Sequence, residues 1–269
     1  MGVVYLAEDL TLARNVALKV LSPELSEDDE FRERFREEWR LAASIDHPNV
    51  IPIYEAGDYD GTLFIAMRYV VGTDLKELIG EEDGLDAARA VALVSQVAEG
   101  LDEAHGRGLV HRDVKPSNVL ITGEREHAYL ADFGLTKPTS SEETARQSIS
   151  LSGSYDYVSP ELITGGAAEP ASDIYALGVL LYEALTGVVP FPHESKLQTL
   201  FAHVNDAPPA PSELTPEVPE ELDRVVFTAM AKEPGDRYVS GAELARAGTV
   251  ALPDRGDLVG RLQHLSAQT

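Results

Sequence analysis

The residues best suited to chemistry lie in two neighbouring polar stretches. Asp113 and Lys115 place an acid and a base two residues apart in what reads as a loop. Asn118 closes that stretch, and Asp132 opens the second one. An Asp and an Asn side chain offer hard oxygen ligands, which suit Mg²⁺ held mainly through nucleotide phosphates. The residue types therefore indicate a metal and phosphate site with charged groups close by.

A β-hairpin is predicted to bring the two stretches together. Residues 119–121 and 129–131 are apolar runs that read as two short strands, joined by a polar, Gly-containing turn at 122–127. Asn118 immediately precedes the first strand and Asp132 immediately follows the second. We therefore expect the hairpin to hold these two side chains close to each other.

These stretches resemble the signature of the protein kinases, whose catalytic loop reads H-R-D-x-x-x-x-N and whose metal-binding triplet reads D-F-G. The loop here is His111-Arg112-Asp113-Val114-Lys115-Pro116-Ser117-Asn118, and the triplet is Asp132-Phe133-Gly134. The resemblance to bacterial eukaryotic-like serine/threonine kinases implies an α+β, bilobal fold. One lobe is a small antiparallel β lobe with one helix, and the other is larger and mainly helical.

The resemblance implies a role for each polar residue of the loop. Asp113 would orient the substrate hydroxyl and accept its proton, and Lys115 would neutralise charge on the transferred group. Asn118 and Asp132 would hold the metal. The implied cofactors are ATP and Mg²⁺, with Mn²⁺ as the alternative metal.

Lys19 is a further candidate because it ends the run Val16-Ala17-Leu18-Lys19, which matches the V-A-I-K strand motif. A lysine within an apolar strand needs a charged partner. The next segment predicts a helix starting near Ser26, with an apolar face at helical spacing formed by Phe31, Phe35, Trp39, Ala42 and Ile45. Glu38 lies beside that face, where the family places the glutamate partner, and is preferred over Glu37. Lys19, held by Glu38, would then grip the α- and β-phosphates.

The resemblance also implies a set of nucleotide-binding residues. Met67 matches the residue that guards the back of the adenine pocket, and Arg68 stands where many relatives carry Glu. Of the Gly-rich loop G-x-G-x-x-G-x-V, only Gly2 and Val4 are present, and our hypothesis is that the true start lies upstream of Met1. The implied nucleotide-binding residues are Gly2, Val4, Ala17, Lys19, Met67, Tyr69, Val70 and Leu120.

Residues 135–152 are rich in hydroxyl groups, which is typical of a flexible linker or, by the resemblance, of an activation segment ordered by phosphorylation. Arg112 is the expected receiver of the phosphate, with Ser148 and then Ser150 as the favoured acceptors. Ser154 lies in a turn that resembles the substrate-docking turn of the family.

Three further residues have structural roles in the resemblance. Glu161, in Ser159-Pro160-Glu161, is expected to form a buried ion pair with Arg237. Asp173 is expected to brace the backbone of the catalytic loop. The implied domains are a small lobe at 1–70, a large lobe at 71–248 and a tail or linker at 249–269.

The composition limits the partners. There are 46 acidic and 22 basic residues, so the formal charge of -24 argues against nucleic acid, which needs a basic surface. The absence of cysteine is consistent with a protein of the reducing cytoplasm. We expect the chain there, or at the cytoplasmic face of the membrane if a longer chain continues. We see no membrane span. We expect protein substrates, including the chain itself, and leave a dimer open.

Two alternatives to an active kinase stay open. The chain could be an inactive pseudokinase or regulatory binding module, because the phosphate-binding loop is short. Against this, every charged catalytic position is present. A small-molecule kinase fits less well, since it needs neither the docking turn nor the hydroxyl-rich segment.

Overall fold

The computed structural model describes residues 2–22, 29–133 and 155–253. These residues form two lobes, a small one built on an antiparallel sheet and a large one built mainly from helices. The division matches the bilobal α+β architecture expected from the sequence.

The small lobe contains a four-stranded sheet and one helix. Its strands run in the spatial order β1-β2-β4-β3, and every neighbouring pair is antiparallel. Residues 10–13 connect β1 to β2, and Asp60 and Gly61 connect β3 to β4. The element bounds are β1 Val3–Asp9, β2 Arg14–Val20, α1 Asp29–Ala43, β3 Ile53–Tyr59 and β4 Thr62–Arg68.

Helix α1 packs its predicted apolar face against the sheet. Phe35 is fully buried and Phe31, Ala42 and Ile45 are nearly so, while Trp39 is partly buried in the same core. The predicted start of this helix near Ser26 lies outside the described residues. The apolar residues recur at helical spacing, and burying them together along one stripe favours a helix here.

The large lobe surrounds one buried helix. This helix is α5, Pro170–Thr186, in which every residue from 172 to 185 is buried. Among the helices in the described parts of the chain, none has the length and apolar content needed to cross a bilayer. The helices of the lobe are α2 Leu75–Glu82, α3 Ala87–Gly106, α4 Pro160–Ile163, α5 Pro170–Thr186, α6 Lys196–Asn205, α7 Pro211–Leu214, α8 Glu220–Ala229 and α9 Gly241–Ala251.

A second, three-stranded sheet carries the predicted hairpin. Its strands are β5 Thr73–Asp74, β6 Val119–Thr122 and β7 His127–Leu130, in the order β5-β6-β7. The register pairs Val119 with Leu130, so the residues just outside both strands are adjacent. Position 50 also bridges to β7, which ties the chain entering β3 to the large lobe.

Gly72 allows the connection between the lobes to pass close to β6. A Cβ atom at this position would lie 1.9 Å from the carbonyl oxygen of Ile121, a distance that no side chain tolerates. Close backbone approach is the physical reason for a glycine at this passage into the large lobe.

The buried His203 on α6 indicates that acid lowers the stability of the large lobe. The ring is fully buried, and its Nδ1 atom lies 2.8 Å from the hydroxyl of Tyr175 on α5. Burial, together with the neighbouring Lys232 ammonium, lowers the pKa of His203 to about 3. The unfolded chain binds this proton near pH 6.5, so between about pH 6.5 and 3 acidification favours unfolding by up to about 1.4 kcal/mol per pH unit.

We therefore expect the free energy of unfolding, measured by urea denaturation, to fall less between pH 7 and pH 5 in His203→Asn than in the wild type. His193→Asn, at an exposed histidine, serves as the matched control and should keep the wild-type slope. Equal slopes for His203→Asn and the wild type would contradict the prediction.

Candidate active site

Asp173 holds the catalytic loop by accepting hydrogen bonds from its backbone. It is 1% exposed on α5, where its Oδ2 atom accepts from the backbone N–H of His111 (2.7 Å) and its Oδ1 atom from that of Arg112 (2.8 Å). His105 contacts Asp173 Oδ2 through its Nε2 atom at 2.8 Å. The predicted bracing role of Asp173 is confirmed. His105 on α3 thus supports the brace.

The loop backbone is held in an unfavourable conformation. Arg112 has a φ of 64° and Asp132 a φ of 59°, both in the left-handed region that non-glycine residues avoid. Such conformations persist only where surrounding contacts determine them, and they cluster at functional sites. Asp173 supplies such a contact through the N–H of Arg112.

His111 links the two polar stretches. It is fully buried, and its Nδ1 atom accepts from the N–H of Asp113 at 3.2 Å, while Nε2 lies 3.1 Å from the carbonyl oxygen of Ala131. Burial lowers the pKa of His111. Because Nδ1 accepts and a carbonyl oxygen cannot donate, the neutral ring carries its proton on Nε2. The ring also lies 4.6 Å from that of Phe133. His111 thereby fixes Asp113 relative to Asp132.

Asp113 and Lys115 form the centre of the loop. The Nζ atom of Lys115 donates to Oδ2 of Asp113 at 2.7 Å, and the Nδ2 atom of Asn118 donates to the same oxygen at 3.1 Å. The two side chains of this ion pair are 15% and 18% exposed, so the pair is accessible from solvent yet held in one geometry. A carboxylate held in this way can accept a proton, and the ammonium beside it can neutralise developing charge.

Asn118 and Asp132 are adjacent, as the hairpin predicts. The N–H of Ala131 donates to the carbonyl oxygen of Asn118 at 2.8 Å. Because Nδ2 of Asn118 donates to the backbone oxygen of Asp113 at 2.7 Å, its amide Oδ1 is the atom left for a metal. Within residues 2–22, 29–133 and 155–253, no group of three or more His, Asp or Glu side chains could hold a metal alone. The donor set fits Mg²⁺ that takes its remaining ligands from phosphates and water.

Lys19 and Glu38 have different partners from those expected. The Nζ atom of Lys19 lies 2.8 Å from Oδ1 of Asp132, and Oε1 of Glu38 accepts from Arg112 at 2.8 Å. Among the described residues, Lys19 and Glu38 are not paired with each other. The expected pair is therefore absent from this structure, because two other charged groups of the site lie within reach and take its place.

A cleft between the lobes leads to these groups. Its volume is about 380 Å³, which is within the range of ligand pockets. Six predicted nucleotide-binding residues line it together with both predicted metal ligands. The lining residues foreseen from the sequence are Val4, Ala17, Met67, Tyr69, Val70, Leu120, Asn118 and Asp132.

Two predicted nucleotide-binding residues lie beside the cleft instead. Lys19 lines a small adjoining cavity with Met67, Asp132 and Phe133. Gly2 lies against the carbonyl of Val20, where a Cβ atom would come within 2.5 Å of the oxygen.

The cleft also contains residues that sequence reasoning missed. Leu6 and Ala131 both line it. The period of two along β1 places Leu6 on the same face as Val4, so strand alternation could have found it. Ala131 directly precedes Asp132 and could have been found from that neighbour.

The predicted ion pair between Glu161 and Arg237 is confirmed. It is bidentate, with N–O distances of 2.8 and 2.7 Å, and the Arg237 side chain is fully buried. Burial would raise the pKa of Glu161, but hydrogen bonds from Arg237 and Ser172 outweigh it and lower that pKa.

Several predictions concern residues outside the described ranges. These are the activation segment at 135–152 with Ser148 and Ser150, the docking-turn residue Ser154, and the end of the tail beyond residue 253. The domain boundaries and the cytoplasmic location also stay predictions.

Comparison with known proteins identifies the class. Residues 1–245 match the family model described as protein kinase domain. The chain belongs to the protein kinase family, and the predicted fold is confirmed.

Several bacterial serine/threonine kinases are relatives of this chain, as the sequence indicated. Serine/threonine-protein kinase PknH of Mycobacterium bovis is 41% identical over 254 residues, covering 94% of this chain and 42% of that protein. PknD of Mycobacterium tuberculosis is 42% identical over 253 residues, covering 94% and 38%. The crystal structure of the M. tuberculosis PknI kinase domain matches with a TM-score of 0.74 and 34% identity, covering 94% of this chain and 92% of that one. The chain thus spans about two fifths of the length of the curated relatives.

Proposed function

We propose that this chain transfers the γ-phosphoryl group of ATP to serine or threonine hydroxyls of proteins, including those of its own activation segment. The observation that supports this most directly is the Asp113–Lys115 ion pair, held by Asn118 in a loop beside an apolar cleft of about 380 Å³. In the proposed reaction Asp113 orients the hydroxyl and takes its proton, and Lys115 neutralises the transferred group.

The nucleotide is proposed to lie between Met67 and Leu120, with the connector residues Tyr69 and Val70 along one side. Mg²⁺, when bound, would neutralise phosphate charge and is proposed to take Oδ1 of Asn118 and the carboxylate of Asp132 as ligands. Lys19 already lies beside Asp132, so it is positioned to contact phosphate oxygens at the same place.

We infer that activation exchanges ion-pair partners. Arg112, the expected phosphate receiver, holds Glu38 at 2.8 Å in this structure. A phosphate on the activation segment would compete for Arg112, because an arginine binds phosphate bidentately and strongly. Glu38 would then be released towards Lys19. Removing the phosphate with a phosphatase should therefore lower the rate of substrate phosphorylation, and an unchanged rate would contradict this exchange.

The test of the proposed function is autophosphorylation with Mg-ATP, read by intact mass. We expect the wild-type chain to gain phosphate with Mg-ATP and none with Mg-ADP. Lys19→Met should lose the reaction because it removes the phosphate-contacting cation. Lys76→Met, at an exposed lysine on α2, is the matched control and should react like the wild type.

A regulatory binding module is the second candidate, since the expected pair between Lys19 and Glu38 is absent here. It predicts binding of Mg-ATP without phosphate gain, on the chain itself or on added protein. A chain that neither binds Mg-ATP nor gains phosphate would overturn both candidates.

A further inference from the structure

A row of alternating cationic and aromatic side chains crosses from the small lobe to the large lobe. We call Arg14, Tyr54, Arg68 and Tyr129 the cation–aromatic ladder. The guanidinium carbon of Arg14 lies 3.6 Å from the centroid of the Tyr54 ring. Arg68 donates to the hydroxyl of Tyr129 at 2.8 Å, with its guanidinium carbon 5.6 Å from the ring centroid. These distances are those of favourable cation–aromatic contacts.

Both ends of the ladder are attached to the fold. At the small-lobe end, the Nε atom of Arg14 lies 3.3 Å from Oδ2 of Asp9. At the large-lobe end, His127 packs edge-on against Tyr129 with ring centroids 4.6 Å apart, and its Nε2 atom donates to the carbonyl of Pro48 at 2.8 Å. The ladder therefore has one end on the β1–β2 hairpin and the other on β7.

Arg68 and Tyr129 form the step that crosses between the lobes. Arg68 is the last residue of β4 and directly precedes Tyr69 of the connector, whereas Tyr129 lies on β7. Tyr129 also packs on a small apolar cluster formed by Ile51, Met67 and Ala131, two of which line the cleft. Any rotation of one lobe about the connector must change the distance between Arg68 and Tyr129.

Arg68 is fixed to the small lobe by the pairing of β4 with β2, where it lies opposite Val16. Hydrogen bonds with the hydroxyls of Tyr54 and Tyr129 raise the pKa of Arg68, although partial burial opposes them. The guanidinium thus stays charged, and its hydrogen bond to the hydroxyl of Tyr129 joins β4 of the small lobe to β7 of the large lobe. A carboxylate at this position could not donate to the hydroxyl of Tyr129, whereas the guanidinium does.

We propose that Arg68 is a positioning residue that sets the angle between the lobes through Tyr129, and thereby holds the cleft in its nucleotide-binding shape. Loss of the bridge lets the lobes sample more open arrangements. Apparent affinity for a nucleotide then falls with the fraction of molecules in the competent arrangement. This inference rests on the proposed function, because the ligand of the cleft is taken to be a nucleotide.

The test is a double-mutant cycle on binding of Mg-ADP to the full chain, measured by calorimetry. We expect Arg68→Gln and Tyr129→Phe each to raise Kd about threefold to fivefold, the size of one exposed cation–aromatic or hydrogen-bond contact. The double variant should be no weaker than the single ones, because both changes remove the same contact. Arg68→Lys, which keeps a donor, should stay within about twofold of the wild type. Arg125→Gln, at an exposed arginine in the β6–β7 turn, is the matched control.

Hydrogen exchange of the connector amides at 69–72 provides a second readout without nucleotide. We expect faster exchange in Arg68→Gln and Tyr129→Phe than in the wild type and Arg125→Gln. Unchanged exchange, or additive losses of affinity in the double variant, would overturn the positioning role. If the wild type binds no Mg-ADP, the proposed function fails, while the exchange rates still decide whether Arg68 restrains the connector.

Discussion

Asp113→Asn should slow phosphoryl transfer by about a thousandfold while leaving the affinity for Mg-ADP within about twofold of the wild type. General-base contributions of this kind are typically 10²–10⁴-fold. The substitution keeps the size of the side chain but removes the carboxylate that contacts Lys115 at 2.7 Å. An amide cannot accept the proton of the substrate hydroxyl, so the loss should appear in the rate and not in nucleotide binding.

The rate is measured in a single turnover with radiolabelled ATP, following phosphate on the chain. Asp60→Asn is the matched control because Asp60 lies in the exposed β3–β4 turn at a φ of 48°, a conformation that asparagine tolerates. A rate for Asp113→Asn within tenfold of the wild type would exclude Asp113 as the base.

The second large effect is expected on stability. Arg237→Leu should lower the free energy of unfolding by about 3–5 kcal/mol, because it removes one partner of a buried ion pair. Arg237 also donates to the carbonyl oxygens of Ala231, Ala171 and Lys232, with distances of 2.8–2.9 Å. These acceptors and Glu161 would be left without their donor.

Urea denaturation measures this loss. Arg246→Leu, on the exposed side of α9, makes the same change at the surface and should cost less than about 0.5 kcal/mol. Adding Glu161→Leu to Arg237→Leu should recover part of the stability, since an unpaired buried carboxylate is then removed. A loss below about 1 kcal/mol for Arg237→Leu would show that solvent or neighbouring groups replace the arginine.

Much of the site could be predicted because it depends on residues close in sequence. Asn118 and Asp132 flank a single hairpin, and antiparallel pairing leaves one way to join its strands once the apolar residues face the core. The buried face of α1 follows from helical spacing for the same reason. Glu161 and Arg237 are far apart in sequence, and the family resemblance paired them where spacing could not.

The ion pairs around Lys19 and Glu38 were decided by the tertiary structure. Lys19, Glu38, Arg112 and Asp132 come from four separate segments, so several pairings satisfy the same charges. Exchanging one ion pair for another changes the free energy by amounts comparable to a single contact, and a small shift of α1 relative to the sheet therefore selects between them. Local patterns contain no information on that shift.

The sequence by itself determined the class of protein, the identity of the polar residues in the loop and the strands and helices that carry them, because motifs and apolar periodicity are local properties. Only the tertiary structure decided that Lys19 contacts Asp132, that Glu38 contacts Arg112 and that Arg68 reaches Tyr129 across the lobes. These contacts depend on how the two lobes and α1 pack against one another, and that packing depends on all the side chains of the core together.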